Sequence, residues 1–375
     1  MKKILYVTTI GTTINAFLVP HIKMLINEGN KVDCACSIDV PIDKELIDKN
    51  IKLYDIPFSR TPLDIKNIKA FIKLIKIQKN NNYDIVHVHT PVASVYGRLL
   101  KLVFPKIKTV YTAHGFHFYR GAPKYKWIVF YIIEKIMSII TDVLITMNKE
   151  DYYISKKKLY ANKKYNVNGV GVDIYKYLNS KVDSLDIRKE LDLTEEDIVI
   201  TVIAELSNRK NQIQAIKSIE ALSRKYNNIK LLLVGNGNQR EALEEYIDKQ
   251  NLGNSVKILG YRSDVPSILA ITDIVGLFSY HEGLPRNLME AMAVKKPIVC
   301  TDIRGNNDLV ENGKNGFLVN INDIENTIEA IEKLYIHEEL RISMGKSGFE
   351  KIQEYSTENI LQQMKSIFNE ILQTI

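Results

Sequence analysis

The chain has 375 residues, 45% hydrophobic and 25% charged, with a formal net charge of +7; that is too long for one ordinary core and suits two domains. No stretch reaches the roughly 18 to 20 apolar residues that crossing a bilayer requires. Three cysteines, Cys34, Cys36 and Cys300, speak against a disulfide framework, and Cys34 and Cys36 alternate on one face of a strand as small core residues.

The opening MKKILYVTTIGTTIN has two lysines and a short apolar run broken by threonines and Asn15. It reads as a first buried strand over 3–8, without the cleavage site of a signal peptide, and a cytoplasmic protein is expected. Further strands are expected at 31–37, 51–56, 84–90, 108–114 and 143–147, with helix-length segments such as 14–29 and 64–80 between them. Lysine recurs every three or four residues beside an apolar face over 66–76, a pattern shared by interfacial helices and ordinary surface helices. Residues 127–140 are more apolar and are the second segment that could meet a membrane, but Glu134 and Lys135 interrupt them and they are too short to span one, so a buried helix is expected. Two glycines near 168–173 mark a domain boundary. Strands then follow at 197–205, 229–235, 256–260, 273–279 and 297–301. The tail from 357 to 375 is helical in pattern, with Ile360, Met364, Ile367, Phe368 and Ile371 on one side. Strands apolar on both faces and alternating with helices imply two doubly wound, Rossmann-like parallel sheets. The domains are expected at 1–173 and 174–356, with the tail crossing back to the first.

Charge divides unevenly: residues 1–173 carry 27 Lys+Arg against 14 Asp+Glu, and residues 174–375 carry 24 against 30. A basic first half points to an anionic partner or to scattered surface lysine. Nucleic acid is not expected, because no aromatic-and-basic module accompanies the charge.

The sharpest motif is SYHEGLPRNLMEAM at 279–292. It follows a buried strand, Gly283 and Pro285 enforce a loop, and a helix starts near Asn287. Open α/β sheets bind ligands at such strand ends. The amides around Leu284, Pro285, Arg286, Asn287 and Leu288, with the helix dipole, favour a phosphate. Glu282 and Glu290 accept hydrogen bonds from hydroxyls of a sugar and a ribose; the plainer alternative is a solvated loop. Arg209 and Lys210 after the domain's first strand can neutralise a diphosphate.

Two glutamates seven residues apart within EGLPRNLMEAMAVKKPIV resemble the pattern of retaining family-4 glycosyltransferases of the glycosyltransferase-B fold. The resemblance extends to AELSNRKN (204–211), LVGNG (233–237), GYRSDVP (260–266) and ENGKNGFLV (311–319). It implies two Rossmann-like domains facing a cleft, the second binding a nucleotide-sugar donor, most often UDP-linked, and retention of anomeric configuration. Arg209 and Lys210 would clamp the diphosphate, Glu282 the transferred sugar and Glu290 the ribose. Gly235, Gly283 and the Leu284–Leu288 backbone would hold the donor, and Arg262 would stand near its base. Relatives often carry glycine and arginine at Ala204 and Glu205. In the first domain His114, within TAHGFHFYR (112–120) at the end of the strand KTVYTA, would orient the reacting sugar, with His117 as its competitor. Gly11 stands alone where relatives have paired glycines near the donor. His87 and His89 read as a strand-end pair, and no metal ligand set or cofactor is called for.

The first domain is similar to bacterial exopolysaccharide and capsule transferases, which implies a glycan acceptor on a polyprenyl diphosphate and contact with the inner face of an anionic membrane. Two other functions fit the same fold: a nucleotide-sugar epimerase, and a non-catalytic module binding glycan or membrane. A nicotinamide fingerprint fails at Arg240, and a phosphate-binding loop at 345–347 fails at Leu340.

Overall fold

The computed structural model describes residues 1–179 and 184–374; Ile375, the last residue of the expected tail, lies outside them. The chain forms two units, Met1–Gly171 with Thr357–Ile375, and Val172–Ser356.

The first unit is a seven-stranded parallel sheet. Its strands are β1 (Lys3–Ile10), β2 (Lys31–Ser37), β3 (Leu53–Asp55), β4 (Ile85–His89), β5 (Lys108–Ala113), β6 (Val143–Thr146) and β7 (Lys163–Asn166), in the order β3-β2-β1-β4-β5-β6-β7. Alternation along β1 sends Ile4 and Tyr6 into one core, and Leu5 and Val7 into another on the opposite face, as a sheet covered on both sides requires. The first core is closed by Ile360, Met364, Ile367, Phe368 and Ile371 of the helix Thr357–Leu372. Cys34 and Cys36 share that core.

The second unit is a six-stranded parallel sheet of β8 (Ile198–Ile203), β9 (Ile229–Val234), β10 (Val256–Gly260), β11 (Ile274–Leu277), β12 (Ile298–Thr301) and β13 (Gly316–Val319), ordered β10-β9-β8-β11-β12-β13. In both units the strand order reverses beside the first strand, between β1 and β4 and between β8 and β11, the crevice where doubly wound sheets take their ligands.

Three expectations are corrected. The helix expected over 14–29 is broken into Gly11–Thr13, a wider π turn at Ile14–Leu18, and Val19–Asn27. Pro20 has no N–H to return to the preceding turn, so the regular ladder cannot run through it. Strands β7 and β13 were not expected. The apolar segment expected to be a buried helix forms the helix Lys124–Ser138, which leaves a row of large apolar side chains in solvent. Among the described residues no helix is long and apolar enough to cross a membrane.

Candidate active site

In the second unit β8 and β11 pair directly, Ile200 against Ile274 and Thr201 against Val275, so the loops leaving their carboxyl ends emerge side by side. After β8 the chain makes a short 3-10 turn at Asn208–Lys210, and Asn211 takes a left-handed φ of 51° before the helix Gln212–Ser223. After β11 it runs through Tyr280–Glu282 into the helix Arg286–Ala293. The Tyr280 amide donates to the Arg209 carbonyl at 2.9 Å, stitching the two loops together.

This brings Arg209, Lys210 and Glu282 into one cluster. Lys210 Nζ lies 2.5 Å from Glu282 Oε1, and Arg209 Nη1 lies 3.3 Å from the same oxygen and from the His281 carbonyl. Lys210 and Glu282 are nearly enclosed, whereas Arg209 keeps about a third of its side chain in solvent. Burial works against the Glu282 carboxylate, but Lys210 and Arg209 outweigh it and hold its pKa below the ordinary value. Burial lowers the Lys210 pKa, with Arg209 adding repulsion, against the pull of Glu282 and Glu205. Glu205 itself is exposed, so at this family departure the chain places a second acid in reach of Lys210's field.

The helix Arg286–Ala293 begins after Pro285, whose ring offers its first turn no cap. Asn287 fixes it in place: its Nδ2 donates to the Ile203 carbonyl at the end of β8, and its Oδ1 accepts from the Leu288 amide. Glu290 sits one turn along, ion-paired with Arg286 at 3.1 Å. Burial raises the Glu290 pKa despite a hydrogen bond from Tyr177 and the charge of Arg286. The loop around Gly283 is held from behind. Arg304 donates to the Glu282 carbonyl at 2.9 Å, and Thr301 to the Ser279 carbonyl at 2.7 Å. Gly305, at φ 82°, lies where a Cβ would come within 2.2 Å of the Gly283 carbonyl oxygen, so that loop can seat only over a glycine. Gly235, at φ 144°, serves the β8 exit in the same way: a Cβ there would meet the Ala204 carbonyl oxygen at 2.1 Å.

Sequence reasoning missed Arg304, Tyr177 and Asn211, the last bonded to Gln214 and Asn322. Asn211 closes the AELSNRKN segment, but its supporting role, like those of Arg304 and Tyr177, becomes visible only when the loop it holds is folded. Arg262 follows β10, with its guanidinium doubly bonded to Asp264 at 2.7 and 2.8 Å and also bonded to Glu190. No bond joins it to the Arg209–Lys210–Glu282 cluster among those described.

In the first unit four histidines gather at the strand ends. His89 Nδ1 lies 3.1 Å from His114 Nε2, and His87 Nε2 lies 2.8 Å from Thr112 Oγ1. Tyr6 stacks on His89 and meets His87 edge-on. His21 Nε2 lies 3.3 Å from the Val170 carbonyl oxygen. Burial lowers the pKa of His114 and His21 to about 4 and that of His87 and His89 well below the usual value, so all four are neutral imidazoles near pH 7. His117 instead packs on Phe130 at 4.7 Å. Gly11 opens the first helix, where the amide and hydroxyl of Thr12 are both taken by Asp39. Among the described residues no group of three or more His, Cys, Asp or Glu is arranged to hold a metal.

The class of protein is set by these features together: two doubly wound units of glycosyltransferase-B type, the second with paired cations and carboxylates at its switch point. Residues 183–351 match the family described as glycosyl transferases group 1, and residues 3–148 match that described as glycosyl transferase 4-like. EpsD of Bacillus subtilis is 32% identical over 372 residues, covering 98% of this chain and 96% of EpsD. The UDP-Gal:alpha-D-GlcNAc-diphosphoundecaprenol alpha-1,3-galactosyltransferase of Escherichia coli is 30% identical, covering 88% of this chain and 86% of the enzyme. The crystal structure of Anabaena HepE in complex with UDP superposes with a TM-score of 0.80 at 21% identity, covering 99% of this chain and all of HepE; at that identity the likeness speaks for the fold. The chain belongs to the family-4 glycosyltransferases and is a glycosyltransferase akin to those of bacterial capsule and exopolysaccharide synthesis.

Proposed function

We propose that this enzyme transfers a sugar, with retention, from a UDP-sugar to a glycan carried on a polyprenyl diphosphate during surface polysaccharide synthesis. The observation that carries this reading is the convergence of Lys210, Arg209 and Glu282 at the switch point of the second unit. Two cations beside a helix N-terminus suit a diphosphate, and their charge counts for more in a nearly enclosed site than in water. Glu282 contacts the transferred sugar, and Glu290, braced by Arg286 and Tyr177, takes the ribose hydroxyls. The Leu284–Leu288 backbone holds the donor phosphate or sugar, with Gly235 and Gly283 keeping the loops close.

In the transfer step the bond from sugar C1 to the diphosphate oxygen breaks. The acceptor oxygen bonds C1 on the same face, and its proton passes to an oxygen of the leaving diphosphate. Lys210 and Arg209 stabilise the charge that grows on that leaving group. The first unit handles the acceptor, with His114 as a neutral imidazole that orients hydroxyls by hydrogen bonding. The UDP and lipid-linked parts of the reading draw on the E. coli relative's name and on the HepE complex with UDP.

Screening UDP-, GDP- and ADP-sugars for donor hydrolysis and transfer tests the donor. With the accepted donor, Lys210→Ala is expected to lower kcat about 100-fold or more, the effect of losing one transition-state stabiliser, while leaving the melting temperature within a few degrees. Full turnover in that variant would refute the assignment, and sugar conversion without any acceptor would replace it with an epimerase.

A further inference from the structure

Strands β4 and β5 pair in register, His87 with Val110 and His89 with Thr112. His89 is the last residue of β4, and His114, one residue beyond the end of β5, is brought beside it. Their rings meet through His89 Nδ1 and His114 Nε2, 3.1 Å apart. The His89 ring is clamped: Tyr6 stacks on it with centroids 5.4 Å apart, and His87 lies against it at 4.2 Å. His87, His89 and Tyr6 are buried, whereas His114 is half-buried. Burial keeps both His89 and His114 neutral near pH 7.

Two neutral imidazoles joined by one bond place a single proton between the facing nitrogens, and its owner decides what the far nitrogen of each ring carries. If His114 donated, His89 would hold its own proton on Nε2. That atom is buried and has no hydrogen-bond partner among the described residues. A buried N–H with nothing to bond is the group that folded proteins most strictly avoid. If His89 donates from Nδ1, its Nε2 is a bare lone pair, the milder orphan of the two. The same arrangement leaves the proton of His114 on Nδ1, the nitrogen that faces away from His89. It also gives a reason for a polar ring in a place where an apolar side chain would pack without an orphaned atom.

We propose that His89 is a positioning residue, which donates from Nδ1 to His114 Nε2 and so holds His114 in the Nδ1–H form, a hydrogen-bond donor toward the substrate. This rests on the reading above in which His114 meets the reacting sugar, and it deepens it by fixing the direction of the bond. A ring held in this form donates to a hydroxyl oxygen of the sugar. With Nε2 engaged by His89 and Nδ1 already protonated, it has no free lone pair to take the proton of the attacking hydroxyl. That proton is left to the oxygen of the departing diphosphate.

The test begins without substrate. In the full chain carrying isotope-labelled histidine, nitrogen–proton correlation spectra at neutral pH show which ring nitrogen is protonated, and His114→Gln assigns the signal. His114 is expected to be protonated at Nδ1; protonation at Nε2 overturns the proposal. The second arm compares two substitutions of one shape. In His89→Asp the carboxylate can only accept, so His114 should switch to the Nε2–H form. Its kcat, with the UDP-sugar that the donor screen selects, should fall about tenfold, the scale of one hydrogen bond. In His89→Asn the amide nitrogen stands as many bonds from Cα as Nδ1 does and can still donate, so the loss should stay below about threefold. Affinity for UDP, measured by titration calorimetry, should be unchanged in both, because UDP carries no sugar for His114 to meet. Should the buried carboxylate lower the melting temperature, His89→Leu, which offers no donor, takes its place with the same tenfold loss expected. Equal losses in the asparagine and the aspartate or leucine variants, or none in either of the latter, overturn the proposal. The spectrum is read with no sugar present, so failure of the transfer reading would leave the Nδ1–H form standing, and a reversed form would sink this inference alone.

Discussion

The two units share one topology and put opposite electrostatics at corresponding places. At the β8–β11 switch point the second unit has charges: Lys210 and Arg209 on Glu282, and Arg286 on Glu290. At the ends of β4 and β5 the first unit has neutral groups: His87, His89 and His114, with Tyr6 packed against them and the buried His21 near enough to be felt electrostatically. Outside, the order is reversed, with the first unit carrying 28 Lys+Arg against 15 Asp+Glu and the second 23 against 29. The fold delivers strand ends to a crevice in either case, and what the crevice can do is decided by a handful of side chains. A charged crevice suits a diphosphate; a neutral, hydrogen-bonding one suits hydroxyls. The net charge of a unit's surface is no guide to the sign of its site.

Acid should separate the units. His21 and His114 have folded pKa values of about 4 because they are buried neutral, and His87 and His89 lie lower still. Their ordinary pKa is about 6.5, so between about 6.5 and 4 the unfolded chain binds protons that the folded first unit refuses. Their stability contribution is complete above 6.5 and is lost as pH falls through that window, at about 1.4 kcal/mol per pH unit for each histidine. His21, almost wholly enclosed, accounts for about 3 kcal/mol by itself. In the second unit the lowered Glu282 pKa costs stability only below the ordinary carboxylate range, and the raised Glu290 pKa acts with opposite sign. Hydrogen exchange at pH 7.5 and pH 5 should therefore show β4 and β5 losing protection while β8 and β11 hold theirs. Trp127, the single tryptophan, lies in the first unit and its fluorescence should report the same fall in urea midpoint. Equal losses in the two units would remove the electrostatic contrast.

Substitution at Glu282 examines the charged crevice directly. Its carboxylate occupies the two cations that a diphosphate would need. Glu282→Gln should free them and tighten UDP binding by about tenfold, the scale of one hydrogen bond to a charged group, while turnover falls because the sugar loses its acceptor group. Isothermal titration with UDP, beside a transfer assay, measures both. Weaker UDP binding in this variant would mean that Lys210 and Arg209 do not receive the diphosphate.

Much of this arrangement was legible in the sequence because strands buried on both faces write continuous apolar runs, and β2 and β10 match the expected bounds to the residue. The strands that escaped notice are edges. In β7, Lys163-Lys164-Tyr165-Asn166 is half-exposed and charged, as an edge that must resist further pairing often is. In β13, Gly316 opens a four-residue strand because a Cβ there would meet the Ile298 carbonyl oxygen at 2.3 Å. The motif residues 209, 210 and 282 could be named from their order along the chain, but their pairing needed the β8–β11 neighbourhood. The helix Lys124–Ser138 was misread because an apolar run carries no label for which of its faces is covered. Contacts distant in sequence decide that, among them the Arg98–Glu134 pair across 36 residues and the packing of Trp127, Phe130 and Tyr131 on the core.

Arg262 gives the smallest expected effect and the finest division within the second unit. It leaves β10, two strands from the switch point, and its fork is filled by Asp264, with Glu190 bonded alongside. These carboxylates push its pKa up, first through the hydrogen bonds of Asp264 and then through those of Glu190. To read a nucleotide base the guanidinium has to leave one of them, so binding must replace what it gives up. Held as it is, the side chain ties the β10 exit to the helix Ser184–Glu190, and a partly exposed tie of this kind is worth under about 1 kcal/mol. Arg262→Gln is therefore expected to lower the urea midpoint slightly and to leave the donor KM within about twofold, for UDP- and GDP-sugars alike. A tenfold rise in KM for one nucleotide alone would show that the arginine does exchange its acids for the base. It would also extend the charged crevice from the β8–β11 junction to the third strand of the sheet.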